Sequence, residues 1–341
     1  MKIDAFCHVM PRPYADRLGD LEDTPAAANI RERIANIPSL VDLDLRFRQM
    51  DEFGDDYRQV ISLPAPPPED LGDPRLSRDM ARLGNEGMAD IVERHADRFA
   101  GWVAAVPFND PDAAVEEVER AIGMGAFGAQ MYSNINGHPP DEERFEPFYA
   151  RMAELDRMIW VHPTRSAAWP DYKTEEKSRF EIWWVFGWPY ETATYMARLV
   201  FSGVLERHPT LKVLVHHGGS MVPFFSGRVG PGWDQLGART PPDRRDEVAG
   251  PPLSKRPLDY FKMFYADTAL FGAGHALRCS LDFFGVDHML FASDSPFDPE
   301  KGPGYTRATI ADVEALDISD EERRQIYEGN LRAITKVSPR R

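Results

Sequence analysis

Histidine and aspartate stand at the ends of four separate apolar runs in the sequence. The runs finish on His8, on His162, on the pair His216 and His217, and on Asp294. Imidazole nitrogens and a carboxylate suit zinc, and they suit manganese or iron where positions stay open for water or substrate. If the four ends converge in the fold, the sequence predicts a divalent metal centre built from histidine and aspartate.

The four runs belong to a set of eight short apolar segments, rich in β-branched or aromatic residues, that are typical of strands. These segments span residues 2–6, 57–63, 102–106, 127–132, 158–162, 212–216, 263–267 and 288–292. Amphipathic stretches typical of helices lie between them, for example over 111–124 and 146–155. Eight strands alternating with helices predict an α/β fold, a (β/α)8 TIM barrel, in preference to an open sheet. The strand ends of such a barrel meet at one mouth.

The chain length predicts one domain with long insertions. A barrel can occupy all of the 341 residues. Three connections are longer than simple crossovers require, at about residues 11–56, 163–198 and 223–260, and all three contain proline. Because each follows a strand, we expect all three on the C-terminal face, where barrels build their active sites. The end of the chain, 336–341, is expected to be a frayed tail.

Composition excludes several classes of function. Lys and Arg number 40 against 55 Asp and Glu, a formal net charge of −15 that opposes binding to nucleic acid or anionic membranes. No apolar run approaches the ~18 residues of a membrane span. Cys7 and Cys279 are too few for a disulfide framework or a thiolate zinc site, and the first residues lack a signal peptide's apolar region. We therefore expect a cytoplasmic protein without nucleic-acid or membrane partners.

Several motifs together resemble one known family. They are residues 2–11, 161–163 and 217–223, the pair Gly227-Arg228, and 293–297, with weaker matches at 128–134 and 326–330. In order and spacing they resemble the amidohydrolase superfamily, and within it the branch of aminocarboxymuconate semialdehyde decarboxylase and the resorcylate-type nonoxidative decarboxylases. The resemblance covers nearly the whole chain, and it is more specific for the fold than for the substrate.

The resemblance implies roles for individual residues. The metal ligands of the family fall on His8, His162 and Asp294, and its active-site histidine falls on His217 rather than His216. Since neighbouring side chains of a strand face opposite ways, only one of these two would easily face the mouth. Arg228 matches an arginine that helps to hold a substrate carboxylate, in some relatives at a subunit interface.

Phe6 departs from the pattern of the family. The first strand there presents His-x-His or Glu-x-His, and a benzyl side chain cannot bind a metal. Three outcomes are open: a smaller site of His8, His162 and Asp294 with His217 as fourth ligand, a site completed by a water or substrate oxygen, or a barrel that has lost its metal. Because three protein ligands and a water form a catalytic site, we expect one divalent metal, zinc first, with manganese or iron as alternatives.

The resemblance implies an enzyme that depends on this metal. The leading interpretation is a nonoxidative decarboxylase, a carbon–carbon lyase, of a small carboxylic acid, with a related hydrolase next to it. His217 or Asp294 would handle the proton, and Trp184, within a tryptophan-rich segment, would line the substrate pocket or bury a dimer contact.

The alternative interpretation is a subunit of a hetero-oligomeric metal oxygenase that resembles the α-aminoisobutyrate hydroxylase system. This chain would then be the supporting subunit with the simpler metal site. Accordingly, the expected partner is a second copy of the chain or a homologous chain. A noncatalytic barrel is the third interpretation.

Overall fold

Parallel strands form the centre of the molecule in the computed structural model, which describes residues 1–21 and 25–336. Within these residues the strands are β1 (Lys2–His8), β2 (Tyr57–Ser62), β3 (Phe99–Trp102), β4 (Ala104–Ala105), β5 (Gly128–Tyr132), β6 (Met158–His162), β7 (Lys212–Val215), β8 (Tyr265–Asp267) and β9 (Met289–Leu290). They pair in chain order, β1 to β3 in one sheet and β4 to β9 in another. Every pairing is parallel.

The two sheets complete one ring. Between β3 and β4 the chain is interrupted only at Val103, whose N–H donates to Ile61 O of β2 at 2.9 Å. At the other junction Ala5 N of β1 donates to Phe291 O, directly after β9, at 2.8 Å. Eight strand positions therefore surround a common axis, and the predicted (β/α)8 barrel is confirmed.

Helices connect the strands and cover the ring. Within the described residues they are α1 (Arg12–Gly19), α2 (Pro25–Asn36), α3 (Leu43–Met50), α4 (Pro74–Arg94), α5 (Pro111–Gly123), α6 (Glu146–Glu154), α7 (Ile182–Val185), α8 (Gly187–Phe201), α9 (Val204–Arg207), α10 (Pro257–Phe261), α11 (Gly274–Phe284), α12 (Gly304–Glu314), α13 (Asp320–Arg324) and α14 (Asn330–Thr335). None of them has both the length and the apolar character needed to cross a bilayer.

Local sequence signals begin several of these helices. The carboxylates of Asp42, Asp73 and Asp110 accept hydrogen bonds from backbone N–H groups three residues later, at the starts of α3, α4 and α5. These bonds satisfy donors that have no partner inside a helix. Proline follows the cap of both α4 and α5, where its missing N–H costs nothing.

Apolar side chains fill the ring from inside. They are Ile3, Ala5, Phe6, Val60, Val103, Phe127, Met158, Trp160, Leu214, Ala269, Leu290 and Ala292, joined by Leu331 and Ile334 of α14. A second, larger cluster packs the helices against the outside of the strands. Within this inner cluster, Phe6 contacts the rings of His8 and His216, which belong to the site described below.

Several element boundaries differ from the expectation. The third strand begins at Phe99, before the expected 102–106, and breaks at Val103. The last strand covers only Met289–Leu290 of 288–292, and the sixth ends at Val215 instead of residue 216. After the last strand the apolar run continues through the buried residues Phe291 and Ala292, because periodicity reports burial and not hydrogen bonding.

The three long connections contain structure of their own. Helices α1 to α3 occupy the first, α7 and most of α8 the second, and turns of 3-10 and π helix with most of α10 the third. All three contribute residues to the cavity described below. The tail predicted at 336–341 lies, beyond Lys336, outside the described residues.

Candidate metal centre and adjoining cavity

The carboxyl ends of the strands bring two histidines and an aspartate together. His8 ends β1, His216 follows β7, and Asp294 follows β9. Asp294 Oδ1 lies 3.1 Å from His8 Nε2 and 3.3 Å from His216 Nε2. One ligand atom of each residue lies within 4.8 Å of the others, and all three residues are buried. Together the three side chains offer a set of ligand atoms for a metal ion.

His8 approaches Asp294 through its Nε2 atom, at 3.1 Å from Oδ1. Its Nδ1 lies 3.3 Å from Leu63 O and 3.2 Å from Ser62 Oγ. Burial lowers the pKa of His8, while the carboxylate of Asp294 acts in the opposite direction. In the tautomer whose Nδ1 donates to Leu63 O, the lone pair of Nε2 is available to a metal ion beside Asp294.

His216 also directs its Nε2 atom at Asp294. Its Nδ1 contacts Asp267 Oδ2, while its Nε2 has no hydrogen-bond partner among the described residues. Burial alone would lower the pKa of His216, but the carboxylates of Asp267 and Asp294 outweigh burial and raise it to about 10. The protein thus stabilises positive charge at Nε2, and a bound metal ion can supply this charge in place of a proton. The residues present fit a divalent metal.

His162 lies at the edge of this cluster. Its ring centroid is 5.4 Å from that of His8 and 5.8 Å from that of His216. Nδ1 donates to Pro163 O at 2.7 Å, so Nε2 of the neutral ring is free to act as a ligand. Burial and the neighbouring histidines lower the pKa of His162 well below its usual value.

His217 lies above His216, towards the cavity. Their rings stack with 3.8 Å between centroids, and His217 Nδ1 donates to Ala269 O at 2.9 Å. The sequence argument that only one of the two faces the mouth does not apply, because β7 ends at Val215 and His217 has a left-handed backbone, φ 58°. Burial and the nearby His216 lower the pKa of His217 to about 4.

Phe6 occupies the position where the family resemblance places a further ligand. Its ring centroid lies 4.1 Å from that of His216, 5.4 Å from that of His8 and 6.1 Å from that of His162. The ring is buried, and an apolar group therefore forms one side of the cluster.

A cavity of about 910 Å³ opens beside the cluster. His162, His217 and Asp294 line it, while His8 and His216 lie buried beneath. Aromatic side chains form much of its wall: Trp183, Trp184, Trp188, Phe224, Phe225, Phe271, Phe297 and Tyr305. Volumes of ~300 to 1,000 Å³ are usual for small-molecule sites, and the volume of this cavity falls in that range.

Arg33 of α2 is the single arginine or lysine among the described residues that line the cavity. It donates weakly to Ala65 O at 3.4 Å and lies over the ring of Phe297, and no described carboxylate lies within ion-pair distance of it. Arg228 is placed differently, since it is exposed and lines a neighbouring groove with Tyr190 and Trp233. Within one chain the cavity therefore presents Arg33, not Arg228, to an anionic ligand.

Two buried residues that the sequence argument did not assign hold the ends of the strands in place. Asp4 accepts from Tyr57 OH at 2.7 Å and from Ser293 N at 2.9 Å, which fixes the turn that carries Asp294. Arg46 donates to His8 O at 2.8 Å. A charged residue inside the apolar run of β1 was the available signal for Asp4, whereas Arg46 lies on an ordinary amphipathic helix.

Comparison with known proteins places this geometry in context. The model of the family described as amidohydrolase matches residues 3–334. The gamma-resorcylate decarboxylase of Rhizobium sp. (strain MTP-10005) is 27% identical over 296 residues, which cover 83% of this chain and 86% of that protein. The 2-amino-3-carboxymuconate-6-semialdehyde decarboxylase of Dictyostelium discoideum is 25% identical and covers 78% and 69%.

Solved structures agree over the whole length. The dihydroxybenzoic acid decarboxylase of Polaromonas sp. JS666, with bound manganese and 2-nitroresorcinol, has a TM-score of 0.75 and 26% identity, covering 98% of this chain and 96% of that one. The 5-carboxyvanillate decarboxylase of Sphingomonas paucimobilis has a TM-score of 0.80 at 24% identity and covers 99% of both chains.

Proposed function

This chain belongs to the amidohydrolase family, and on that premise we propose that it is a metal-dependent decarboxylase of a small aromatic carboxylic acid. One observation carries the proposal: Asp294 belongs both to the buried cluster with His8 and to the lining of an aromatic cavity. A metal held by Asp294 would therefore lie within reach of a ligand in that cavity. The relatives with gamma-resorcylate and dihydroxybenzoic acid decarboxylase activity support the same reaction class.

One divalent ion per chain is proposed, held by His8, His162 and Asp294, with His217 beside them. Zinc suits this set of nitrogen and oxygen ligands, and manganese, present in the Polaromonas structure, is the alternative. When bound, the ion would polarise an oxygen of the substrate and stabilise negative charge that develops there.

Arg33 is proposed to bind the carboxylate of the substrate. An arginine can hold a carboxylate through two parallel hydrogen bonds, and Arg33 has no described carboxylate partner to give up. The ring of the substrate would lie against the aromatic wall, where Trp184 is held by a hydrogen bond from its Nε1 to Glu181 at 2.8 Å. Arg228 would take part only if a second chain brings it to the mouth.

The reaction requires one proton at the carbon that loses carbon dioxide. The carbon–carbon bond breaks, its electron pair remains on the ring, and a proton from the protein or solvent replaces the departing group. Asp294 and His217 line the floor of the cavity and are the proposed proton carriers. Because its Nδ1 donates to Ala269 O, His217 has a bare Nε2, which would first accept a proton from the substrate or solvent and then pass it to the carbon as carbon dioxide leaves.

We further propose that the enzyme works in the cytoplasm as a dimer of identical chains. Phe180, Phe186 and Phe224 are exposed, in segments that also contribute residues to the cavity, and exposed aromatic residues are enriched at protein interfaces. A homologous partner chain, as in the oxygenase interpretation, would instead be recovered with the protein from its native host.

Carbon dioxide release from a panel of aromatic acids tests the proposal. The panel contains the 2,6-dihydroxybenzoate, 5-carboxyvanillate and 6-methylsalicylate named for the relatives. We expect turnover of at least one acid by protein loaded with zinc or manganese, loss of turnover after chelation, and recovery on reloading. Cleavage of lactones or amides by the loaded protein, without decarboxylation of any acid, would instead support the hydrolase.

A further inference from the structure

His216 lies between the apolar ring of Phe6 and the carboxylate of Asp294. Phe6 provides no donor atom, and its ring stacks on His216 at 4.1 Å, so the two side chains share one side of the cluster. The Nε2 atom of His216 is buried and lacks a hydrogen-bond partner among the described residues, although it points to within 3.3 Å of Asp294 Oδ1. A buried nitrogen beside a carboxylate favours positive charge at that point, which a proton or a bound metal ion can supply.

Asp267 holds His216 in this orientation. Its Oδ2 contacts His216 Nδ1, while its Oδ1 accepts from Gly218 N at 3.2 Å and from Ala269 N at 3.1 Å. Asp267 and His216 are both fully buried. A carboxylate bonded to one ring nitrogen of a histidine, with the other nitrogen directed at the metal, is a recurring arrangement in metalloproteins.

We propose that His216 is a metal ligand of this chain and supplies the donor that Phe6 cannot. His216 would then hold the metal together with His8, His162 and Asp294, and one ligand atom each of His8, His216 and Asp294 lies within 4.8 Å of the others. The inference rests on the proposed function only in requiring that a metal binds. It replaces His217 as the fourth ligand and leaves the reaction class unchanged.

The stacking of the two histidines explains why His216 is the ligand. The ring of His217 lies 3.8 Å from that of His216 and nearly parallel to it, 23° between planes, on the side of the cavity. Its Nδ1 donates to Ala269 O, and among the described residues its Nε2 forms no ion pair with Asp294, unlike Nε2 of His216. His217 is thus left free to meet the substrate, a task that a coordinated imidazole could not perform.

Metal content of matched variants tests the assignment. Wild-type protein, His216→Ala and His217→Ala are stripped with a chelator, reloaded with zinc or with cobalt, and measured by mass spectrometry and by the visible spectrum of cobalt. We expect His216→Ala to bind at least tenfold more weakly with an altered spectrum, and His217→Ala to remain within twofold of wild type. Weaker metal binding by His217→Ala than by His216→Ala would overturn the assignment of His216. It would leave the proposal of a metal-dependent enzyme unchanged.

A rescue variant separates a lost ligand from a damaged fold. In His216→Ala combined with Phe6→Glu, a carboxylate enters from the position that faces the three histidine rings, and we expect metal affinity to recover. No recovery in a double variant with a wild-type circular dichroism spectrum would overturn the proposal.

If His216→Ala does not fold, Asp267→Asn replaces it in the test. We expect this variant to weaken metal binding several-fold because its amide holds His216 less firmly, and unchanged affinity would overturn the proposal. Wild-type protein that takes up no metal would overturn both this assignment and the metal-dependent function, which distinguishes the two failures.

Discussion

Phe6 stacks on His216 with 4.1 Å between the ring centroids and 29° between the ring planes. An apolar ring thus supports a histidine that a carboxylate, Asp267, holds from the opposite nitrogen. Flat rings at this distance gain favourable packing, and the phenyl group excludes water from one side of the cluster. Phe6 therefore provides no ligand atom itself, but its ring packs against His216 and helps to position it.

Phe6→Ala should destabilise the protein by about 3 to 5 kcal/mol, because Phe6 is buried and its removal leaves a cavity inside the ring. Phe6→Leu keeps most of the volume and should cost less than half as much. Urea unfolding monitored by tryptophan fluorescence measures both. Equal losses for the two variants would show that stacking on His216, and not volume, is the main contribution.

Asp294→Asn should abolish tight metal binding. The carboxylate contacts Nε2 of both His8 and His216, and a neutral amide cannot balance the charge of a divalent ion between them. Metal analysis after dialysis against a weak chelator checks this. Asp298→Asn is the matched control, since Asp298 follows in the same segment and accepts from the backbone of Glu300 and Gly302. Equal metal loss in the control would point to the segment, not to the ligand.

Arg33→Gln should raise KM for an aromatic carboxylate at least tenfold, with a smaller change in kcat, since Arg33 is the cation that lines the cavity within the described residues. The comparison is Arg228→Gln, whose side chain lies outside the cavity. Steady-state kinetics on the best substrate of the panel measures both. A larger effect at Arg228 would indicate that a neighbouring chain delivers this arginine to the mouth.

Glu69→Gln should stabilise the protein at alkaline pH only. Burial, with Asp70 nearby, raises the pKa of Glu69 from 4.5 to about 8. The folded chain thus binds a proton that the unfolded chain releases, and stability falls as pH rises from about 4.5 to 8. Glutamine mimics the protonated acid, so the gain should be about 4 kcal/mol at pH 8 and absent at pH 4.

Thermal unfolding across this pH range measures the effect of Glu69→Gln. Glu116→Gln, at an exposed position of α5, is the control for the loss of a carboxylate. A constant difference between Glu69→Gln and wild type at every pH would contradict ionisation as the cause.

Much of the barrel could be predicted because its signals are local. The expected helix at 111–124 is observed as Pro111–Gly123, where Asp110 caps the first turn and apolar residues recur on one face. The strand expected at 158–162 is observed without change. Such patterns depend on a few neighbouring residues, so they can be read before the fold is known.

Residues that depend on distant partners could not be assigned in this way. The roles of His216 and His217 depend on where β7 ends and on Asp267, 51 residues beyond His216. Arg33 lies on a helix in a long connection, and its sequence neighbourhood does not show that it faces the cavity.

The sequence by itself determined the alternation of strands and helices and placed His8, His162 and Asp294 at strand ends. Only the tertiary structure decided that Asp294 meets His8 across 286 residues, that His216 joins them, and that Phe6 forms one side of the cluster. The reason is physical: periodicity and capping act over a few residues. The position of a buried charge, in contrast, is set by whichever partners the closed ring brings within about 3 Å of it.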